Sequence, residues 1–269
     1  MVCVDEAHCV SHWGHDFRPS YLQIKGFISN LQKRPVVTAF TATATQMVRD
    51  DITELIGLDN PFEVVTGFDR PNLRFEVKTP IDKADELLNI VSQRRDKCGI
   101  VYCSTRKEVE NVCGKLILNN FSATRYHAGL DEDERKNNQD RFITDQVNIM
   151  VATNAFGMGI DKSNVSFVIH YNMPQSLEAY YQEAGRAGRD GSKAECIMLF
   201  ANKDIRTAEF LIKTKKENEE LTPQECDKLI AQDMKRLRVM TEYCKNAAGI
   251  LTYFKGAWQE YAVKISCLC

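Results

Sequence analysis

The stretch CGIVYCSTRKEVENVCGKLILNN, residues 98–120, decides the fold class. Its first eight residues form an almost continuous apolar run, which predicts a strand buried on both faces. The residues from 106 onward mix charged with apolar side chains and predict a helix. Such a strand followed at once by a helix is the repeating unit of a parallel sheet covered by helices, so the stretch predicts an α/β fold.

The same alternation continues on both sides of this stretch. Upstream, ADELLNIVSQR predicts an amphipathic helix over 84–94. Downstream, helices are predicted at 131–144 and 176–189, and strands at 122–129, 147–154, 165–172 and 194–201. From about residue 204 the strand signal stops, and the remaining sequence is charged and helical.

The N-terminal region carries a shorter series of the same kind. Strands are predicted for MVCV (1–4) and VVTAFTAT (36–43), and a helix for TQMVRDDITELIG (45–57). Thr45 suits the N-cap of that helix and Gly57 suits its end.

The segment PFEVVTGFDRPNLRFEVK (61–78) is broken by Gly67 and Pro71, which predicts a strand, a linker and a second strand. We therefore expect three parts. These are a partial α/β lobe over 1–68, a complete α/β lobe over 69–203, and a helical segment over 204–269.

The composition is that of a globular protein. The 269 residues are 43% hydrophobic and 27% charged, with a net charge of −2. No apolar run approaches the ~18–20 residues of a membrane span, and the core-like N-terminus does not resemble a signal peptide. We expect a cytoplasmic protein whose ten cysteines are mostly buried, reduced thiols. The acidic balance argues against a nucleic-acid partner unless basic residues line a local patch.

The first candidate site is the acidic pair Asp5–Glu6, directly after a predicted strand. Parallel α/β sheets bind ligands at the carboxyl ends of their strands. An Asp there can hold Mg²⁺, and a neighbouring Glu can deprotonate the water that attacks a γ-phosphate. The alternative is a plain surface carboxylate pair, with His8 as a satisfied polar residue.

The second candidate site is YYQEAGRAGRDG, residues 180–191. Arg186 and Arg189 are three apart, so on a continuous helix they would share a face. Guanidinium groups that reach a phosphate stabilise the transition state of phosphoryl transfer. A solvated basic helix end is the alternative, but the surrounding glycines are poor choices for a plain surface helix.

Two further strand ends run into loops of small residues, a type of loop that binds phosphates or changes conformation. One is VATNAFGMGIDKSNV (151–165), which is rich in glycine and includes Asp161. The other is TAFTATAT (38–45), which is rich in hydroxyl side chains.

Eight motifs occur in one order: DEAH, SHWGHDFRP, FTATAT, FDRPN, VYCSTRKEVE, YHAGL, VATNAFGMGID and QEAGRAGRDG. Together they resemble the RecQ family of superfamily 2 DNA helicases, of the bacterial type, to about residue 255. The resemblance implies a partial and a complete RecA-like lobe, followed by a helical segment similar to a zinc-binding subdomain. It also implies ATP-driven 3′–5′ movement on single-stranded DNA and unwinding of forked DNA in repair and recombination, with a location at the bacterial nucleoid.

The resemblance implies roles around ATP and Mg²⁺. Asp5 would bind Mg²⁺ and Glu6 would activate water, while Arg186 and Arg189 would reach the γ-phosphate from the second lobe. Roles in coupling the lobes, the nucleotide and the DNA would fall to His8, Gln182, Gly157, Gly159 and Asp161.

In this family the aromatic-rich loop after DEAH senses single-stranded DNA. Trp13 and Phe17 would stack on bases, worth ~1–3 kcal/mol per base, and Arg18 would contact a phosphate or a base plane. The loop begins a few residues after Glu6, so DNA could shift that carboxylate and stimulate hydrolysis. From the residues alone, Trp13 and Phe17 could equally be core residues under a loop.

Further DNA contacts are predicted in both lobes. Thr41 and Thr43 match the loop that links hydrolysis to DNA movement. Basic side chains near strand ends of the second lobe are the other candidates, namely Arg106, Lys107, His127 and Lys162. Each of these alone also fits a solvated surface charge.

The sequence departs from the family in two places. No G-x-x-x-x-G-K-[ST] phosphate loop occurs, and it should precede the DEAH strand. We therefore expect an N-terminally truncated chain that alone neither hydrolyses ATP nor unwinds DNA. The zinc cluster is also incomplete, because only Cys244, Cys267 and Cys269 are candidate ligands and a C-x-C spacing suits Zn²⁺ poorly.

Three hypotheses remain open on the sequence alone. The chain is a segment of an ATP-dependent DNA helicase, a single-stranded-DNA-binding fragment without turnover, or a remnant without function. The missing phosphate loop separates the first from the other two.

Overall fold

The computed structural model describes residues 1–11, 14, 17–42, 44, 46–64, 70–157, 162–214 and 223–246. The chain divides into two compact units, and the second begins at Arg70. Each unit is described separately below.

The first unit contains two short parallel strands, β1 (Val2–Val4) and β2 (Val37–Ala39), paired in register from Val2 with Val37 to Val4 with Ala39. Helices α1 (Gln23–Ser29) and α2 (Gln46–Ile56) pack with this pair. Two 3-10 turns, Ala7–Val10 and Pro19–Leu22, lie between β1 and α1. The core joins β1, β2 and the buried face of α2.

Most of the predicted N-terminal elements are confirmed. Helix α2 ends before Gly57, whose φ of +74° is readily adopted by glycine, as the sequence predicted. Thr45, the predicted N-cap, lies outside the described residues. The predicted strand over 36–43 is too long, since β2 ends at Ala39 and Thr41 bonds to a side chain instead. No strand forms over 61–64, and 65–69 lie outside the described residues.

The second unit contains a six-stranded, all-parallel sheet in the order β3-β8-β7-β4-β6-β5. Its strands are β3 (Leu73–Lys78), β4 (Cys98–Tyr102), β5 (Ala123–Tyr126), β6 (Ile149–Ala152), β7 (Val165–His170) and β8 (Ala194–Leu199). Its helices are α3 (Lys83–Ser92), α4 (Arg106–Leu118), α5 (Glu132–Ile143), α6 (Leu177–Ala184), α7 (Asn202–Thr214) and α8 (Pro223–Asn246). The predicted parallel α/β fold is confirmed.

Side-chain caps explain where several of these helices begin. The side chains of Asp82, Thr105, Asp131 and Ser176 accept hydrogen bonds from backbone N–H groups in the first turns of α3, α4, α5 and α6, respectively. Each cap satisfies N–H groups that have no partner within the helix. Each helix therefore starts at a fixed point after the preceding strand.

The strand order places helices on both faces of the sheet. Crossovers between parallel strands are right-handed in nearly all proteins. The chain crosses the sheet in one direction from β3 to β4 and from β4 to β5, and in the other direction from β5 to β6 and from β7 to β8. Helices α3 and α4 therefore cover one face, where they share a core with Val101, Val151 and Ile169. Helices α5 and α6 cover the other face.

The predicted helix over 176–189 is wrong in its second half. Helix α6 ends at Ala184, and residues 185–190 form turns, so Arg186 and Arg189 do not share a helical face. Gly188 and Gly191 adopt positive φ values of +56° and +85°, which a right-handed helix does not allow. We call residues 185–192 the arginine loop.

The helices after the sheet belong to the second unit. Tyr243 of α8 lies against Tyr180 of α6, with ring centroids 5.8 Å apart, and Cys244 contacts Met198 of β8. None of the helices in the described part of the chain is long and apolar enough to cross a membrane.

Candidate functional site

The DEAH segment is joined to the end of β2 by backbone hydrogen bonds. Phe40 N–H donates to the Val4 carbonyl and Ala7 N–H donates to the Phe40 carbonyl, both at 2.8 Å. Asp5 and Glu6 lie between these two bonds, at the carboxyl end of β1. Glu6 adopts a left-handed conformation with φ of +48°, and its N–H donates to Asp5 Oδ1 at 2.9 Å. The turn leaves Asp5 exposed and Glu6 partly exposed.

His8 links the acidic pair to the hydroxyl loop after β2. Its Nδ1 lies 2.8 Å from Thr41 Oγ1 and 3.3 Å from Glu6 Oε2. His8 is 1% exposed and Thr41 is 4% exposed, so their hydrogen bond is shielded from water. The structure therefore brings together Glu6, His8 and Thr41, which the sequence places in two separate motifs. Thr43 lies outside the described residues.

The aromatic loop, the segment SHWGHDFRP (11–19), is held by a hydrogen bond near each end. At its start, the buried Ser11 hydroxyl donates to the Asp51 carboxylate of α2. At its end, Arg18 N–H donates to the Cys9 carbonyl at 2.9 Å. Phe17 and Arg18 are partly exposed, whereas Trp13 lies outside the described residues.

Gly14 allows the aromatic loop to approach the turn that carries His8. A Cβ at this position would collide with the His8 carbonyl oxygen and lie 3.1 Å from the Ser11 carbonyl oxygen. Only glycine fits there without movement of the backbone. Neither this contact nor the Ser11–Asp51 bond could be found from the sequence, because both depend on where the chain folds back.

Asp5 suits a magnesium ion that is held mainly by phosphate. No group of three or more metal-ligating side chains occurs among the described residues. Mg²⁺ usually keeps several waters and binds one or two carboxylates together with substrate phosphates. An exposed carboxylate at a strand end is what such an ion needs from the protein.

In the second unit, Arg186 reaches the loop that follows β6. Its Nη1 donates to the Gly157 carbonyl, and a Cβ added to Gly157 would collide with its guanidinium unless Arg186 moved. Its Nε is buried and has no hydrogen-bond partner among the described residues. Such a donor suits a phosphate oxygen. The structure thus joins Gly157 and Arg186, while Gly159 and Asp161 lie outside the described residues.

Tyr102 contacts the loop after β6, and His170 contacts α6, the helix that precedes Arg186. The Tyr102 hydroxyl donates to the Phe156 carbonyl at 3.0 Å, and burial raises its pKa, an effect that Arg186 partly offsets. His170 stacks on Tyr102 and bonds to Glu183 Oε2 of α6 at 2.8 Å. This contact ties the last turn of α6 to the sheet. This contact was not predicted from the sequence, because the segment HYN (170–172) has no feature that distinguishes it from the end of another strand.

The remaining predicted residues of the arginine motif differ in exposure. Gln182 is partly exposed on α6, and Arg189 is exposed within the arginine loop. The loop N–H of Gly188 donates to the Val165 carbonyl at 2.8 Å, so the loop lies at the amino end of β7. The predicted DNA contacts that follow β4 and β5 lie at the opposite, carboxyl edge of the sheet.

At that carboxyl edge, Arg106 and Lys107 are exposed in the first turn of α4. Asn172 fixes this helix start, because its Oδ1 accepts from Ser104 N–H at 3.0 Å and its Nδ2 donates to Glu108 Oε1 at 3.1 Å. The two basic side chains therefore extend from a rigid base.

His127 and Lys162 are placed differently from the other predicted DNA contacts. His127 is 5% exposed, with Nε2 2.8 Å from Glu110 Oε1. Lys162 is also 5% exposed and donates to Asp145 Oδ1 at 2.7 Å, a bond that lowers the pKa of Asp145. Both side chains already have partners inside the second unit, so the structure favours supporting roles for them.

Cys244 is buried against β8. Its thiol lies 3.2 Å from Met198 Sδ, and burial raises its pKa to about 12. No other cysteine in the described ranges completes a cluster with it. Cys267 and Cys269 lie outside the described residues.

Comparison with known proteins shows which proteins this chain is similar to. Residues 82–191 match the helicase conserved C-terminal domain. The ATP-dependent DNA helicase RecQ of Bacillus subtilis is 47% identical over 244 residues, 91% of this chain and 40% of that protein. The ATP-dependent DNA helicase hus2/rqh1 of Schizosaccharomyces pombe is 41% identical over 261 residues, 94% of this chain and 19% of that protein. The chain thus spans two fifths or less of these relatives.

A structure of Saccharomyces cerevisiae Dbp5 bound to RNA and ADP BeF3 superposes with a TM-score of 0.63, covering 87% of this chain and 62% of that one. At 22% identity this likeness shows the fold alone. The fold and the matched domain define the class, a superfamily 2 helicase segment whose second unit is the C-terminal RecA-like lobe. Within that class, the relatives show that the chain belongs to the RecQ family.

Proposed function

We propose that this chain is a segment of an ATP-dependent DNA helicase that moves 3′ to 5′ along single-stranded DNA and separates duplexes during repair and recombination. The observation that carries the proposal is the buried bond between His8 and Thr41. It connects the acidic pair to a second strand-end loop, so a change at the carboxylates can be passed to another surface of the same unit. The named activity of the relatives supports the assignment.

In this proposal the first unit supplies the acid–base chemistry. Asp5 holds Mg²⁺, which would neutralise charge on the β- and γ-phosphates of ATP. Glu6 orients and deprotonates the attacking water. His8, which contacts both Glu6 and Thr41, keeps the Glu6 carboxylate at a fixed position relative to the loop after β2.

The second unit supplies positive charge and coupling. Arg186 and Arg189 stabilise the charge that develops on the transferring phosphoryl group, and Gln182 acts with them. The loop of Gly157, Gly159 and Asp161 relays the state of the nucleotide. The bond from Arg186 to the Gly157 carbonyl supports this coupling, because it physically joins the two motifs.

Single-stranded DNA would follow the aromatic loop and the carboxyl edge of the second unit. Trp13 and Phe17 stack on bases, and Arg18, Arg106 and Lys107 contact phosphates. Thr41 and Thr43 link this track to hydrolysis. The proximity of Ser11 and Gly14 to His8 supports a connection between DNA and the catalytic carboxylates.

A second candidate function is binding of single-stranded DNA without turnover. The 269 residues contain no phosphate loop of the G-x-x-x-x-G-K-[ST] type. We therefore expect the isolated chain to bind DNA but to hydrolyse ATP no faster than a Glu6→Gln variant.

A chimera tests the principal proposal. In the B. subtilis relative, the segment matched over 244 residues is replaced by that of this chain, which leaves the rest of that helicase in place. We expect ATP hydrolysis stimulated by single-stranded DNA, and loss of that activity in Glu6→Gln. A folded chimera that binds DNA but has no hydrolysis above Glu6→Gln would refute the proposal.

Fluorescence anisotropy with labelled single-stranded DNA tests the binding track in the isolated chain. Arg106→Ala and Lys107→Ala should each weaken binding and reduce the salt slope by about one ion per lost phosphate contact. Arg74→Ala is the matched control, because Arg74 is an exposed arginine on β3 far from this helix start in sequence. Equal salt slopes in all three variants would exclude the track.

A further inference from the structure

Arg70 binds the backbone of the arginine loop from a distant part of the sequence. Its Nη2 donates to the carbonyl oxygens of Gly188 at 2.9 Å and Ala187 at 3.1 Å, and its Nη1 lies 3.4 Å from that of Gly185. These carbonyls follow the end of α6 and therefore have no helical N–H partner. One guanidinium thus gathers three acceptors on one side of the loop.

Asn72 completes the same attachment. Its side-chain Nδ2 donates to the Gly188 carbonyl at 2.8 Å and to the Ser192 carbonyl at 2.9 Å. The backbone carbonyl of Asn72 accepts from Ala194 N–H at 2.9 Å. A Cβ on Gly188 would lie 2.6 Å from Asn72 Nδ2 and from the Ser192 carbonyl oxygen. Glycine at 188 therefore leaves the room that the Asn72 amide and the Ser192 carbonyl occupy.

The planar fork of Arg70 suits this task better than a lysine would. A guanidinium presents several N–H groups in a fixed geometry, whereas an ammonium is a compact point charge on a flexible stem. Arg70 also bonds to Asn72 through Nε, at 3.4 Å, so the two side chains hold one another in place. The arginine loop is thus fixed by two side chains as well as by its own turns.

We propose that Arg70 and Asn72 are positioning residues that hold the arginine loop in the shape that presents Arg186 and Arg189 to the nucleotide. The inference rests on the proposed function for the role of those two arginines, but the attachment itself does not. Arg70 is the first residue of the second unit. The attachment therefore ties the start of this unit to the arginine loop.

The first arm of the test uses the full 269-residue chain and needs no activity. Arg70→Lys and Asn72→Ala should speed hydrogen exchange of backbone amides 185–192 by about tenfold, since each variant removes hydrogen bonds that restrain the loop. The Nε–H signal of Arg186 in arginine side-chain NMR spectra should shift and broaden in both variants. Arg74→Ala, on the same strand region but 73% exposed at its side chain, should leave both readouts unchanged.

Folded Arg70→Lys and Asn72→Ala chains with wild-type exchange and an unchanged Arg186 signal would overturn the proposal. Thermal unfolding of each chain shows which variants are folded. Arg70→Lys is the main variant because it keeps the positive charge. Arg70→Ala, which removes the charge, serves only as the more severe comparison.

The second arm measures ATP hydrolysis in the chimera. Misplacing a catalytic group by about 1 Å costs ~10²-fold in rate, so kcat should fall by about that factor in Arg70→Lys with little change in KM. Combined with Arg186→Ala and Arg189→Ala together, the lysine substitution should cause no further loss, because Arg70 acts through those two arginines. Independent, multiplying losses would overturn the positioning role. If Arg186→Ala itself has no effect while the first arm succeeds, the proposed function fails and the attachment stands.

Discussion

The DEAH segment and the arginine loop hold their functional side chains in different ways. In the first, backbone bonds between neighbouring parallel strands and one buried side-chain pair, His8 with Thr41, fix the carboxylates. In the arginine loop, the backbone is no longer helical, and the side chains of Arg70 and Asn72 donate hydrogen bonds to its carbonyl groups. The DEAH segment is thus held mainly by backbone pairing between strands, whereas the glycine-rich arginine loop is held mainly by two side chains. Substitutions should therefore affect the two regions differently.

The largest effect is expected at Arg186. An arginine that stabilises a transferring phosphoryl group contributes ~10³–10⁵ in kcat. Arg186→Ala in the chimera should lower kcat by a factor in that range, measured by steady-state ATP hydrolysis with saturating single-stranded DNA. Arg74→Ala should be silent. A loss of less than tenfold would mean that the arginine loop does not act on the γ-phosphate.

Glu6→Gln should have the next largest effect. General bases contribute ~10²–10⁴-fold, and glutamine cannot accept the proton from water. ATP affinity should be retained, because the substitution removes no contact with the nucleotide itself. Titration of a fluorescent ATP analogue alongside the hydrolysis assay separates the two quantities. Parallel losses of affinity and kcat would assign Glu6 to binding instead.

Gly188→Ala tests how strongly the arginine loop depends on its shape. The left-handed backbone costs about 1–2 kcal/mol for a residue with a Cβ, and overlap with Asn72 and Ser192 adds about 1–3 kcal/mol. Gly191→Ala is the matched control, since Gly191 also has a positive φ but nothing lies within 4 Å of its added Cβ. Urea denaturation should rank Gly188→Ala as clearly less stable than Gly191→Ala. Equal midpoints would contradict the packing described for Asn72.

Thr41→Val tests the corresponding contact in the DEAH segment. The substitution keeps the shape but removes the hydroxyl that bonds to His8, and the loss of one hydrogen bond costs about 0.5–1.5 kcal/mol. Ser20→Ala, at an exposed position, should change stability by less than about 0.5 kcal/mol. Identical urea midpoints for the two variants would mean that the strand ladder alone fixes His8.

The smallest effect concerns two cysteines, one in each unit. Cys3 on β1 is exposed, whereas Cys244 is buried with its pKa raised to about 12. Because the thiolate is the reactive form and burial disfavours it at Cys244, alkylation should modify the exposed Cys3 and leave Cys244 largely unmodified even at pH 9. Peptide mass spectrometry after brief iodoacetamide treatment measures both sites. Rapid labelling of Cys244 in the folded chain would show that this face of α8 does not stay packed against β8.

Much of the fold could be predicted because its signals are local. The apolar strands from Cys98 to Leu199 are continuous and the helices between them begin at Asp, Thr and Ser caps, so the pattern specified a parallel α/β sheet. The helix containing Arg186 was extended too far because two glycines were taken as space-saving residues within a helix. The helix ends at Ala184 instead, and the positive φ of Gly188 does not allow it to continue through the motif.

The candidate site could be predicted only in its residue types. The motifs named Glu6, His8, Thr41 and Arg186, but no spacing in the sequence indicates that His8 lies 2.8 Å from Thr41 or that Arg186 bonds to Gly157. Lys162 and His127 were predicted as DNA contacts because both lie near strand ends of the second lobe. Their burial follows from partners 17 residues away in the chain, Asp145 and Glu110.

The sequence by itself determined the chemistry and the class: acidic groups after a strand, arginines among glycines, and alternating strands and helices of one helicase family. Those features depend on residue identity and on interactions within a few residues. Only the tertiary structure decided which groups support them, because Arg70 meets Gly188 after an excursion of 118 residues that passes through every strand from β3 to β7. Contacts of that range depend on the order of strands in the sheet, which no local pattern encodes.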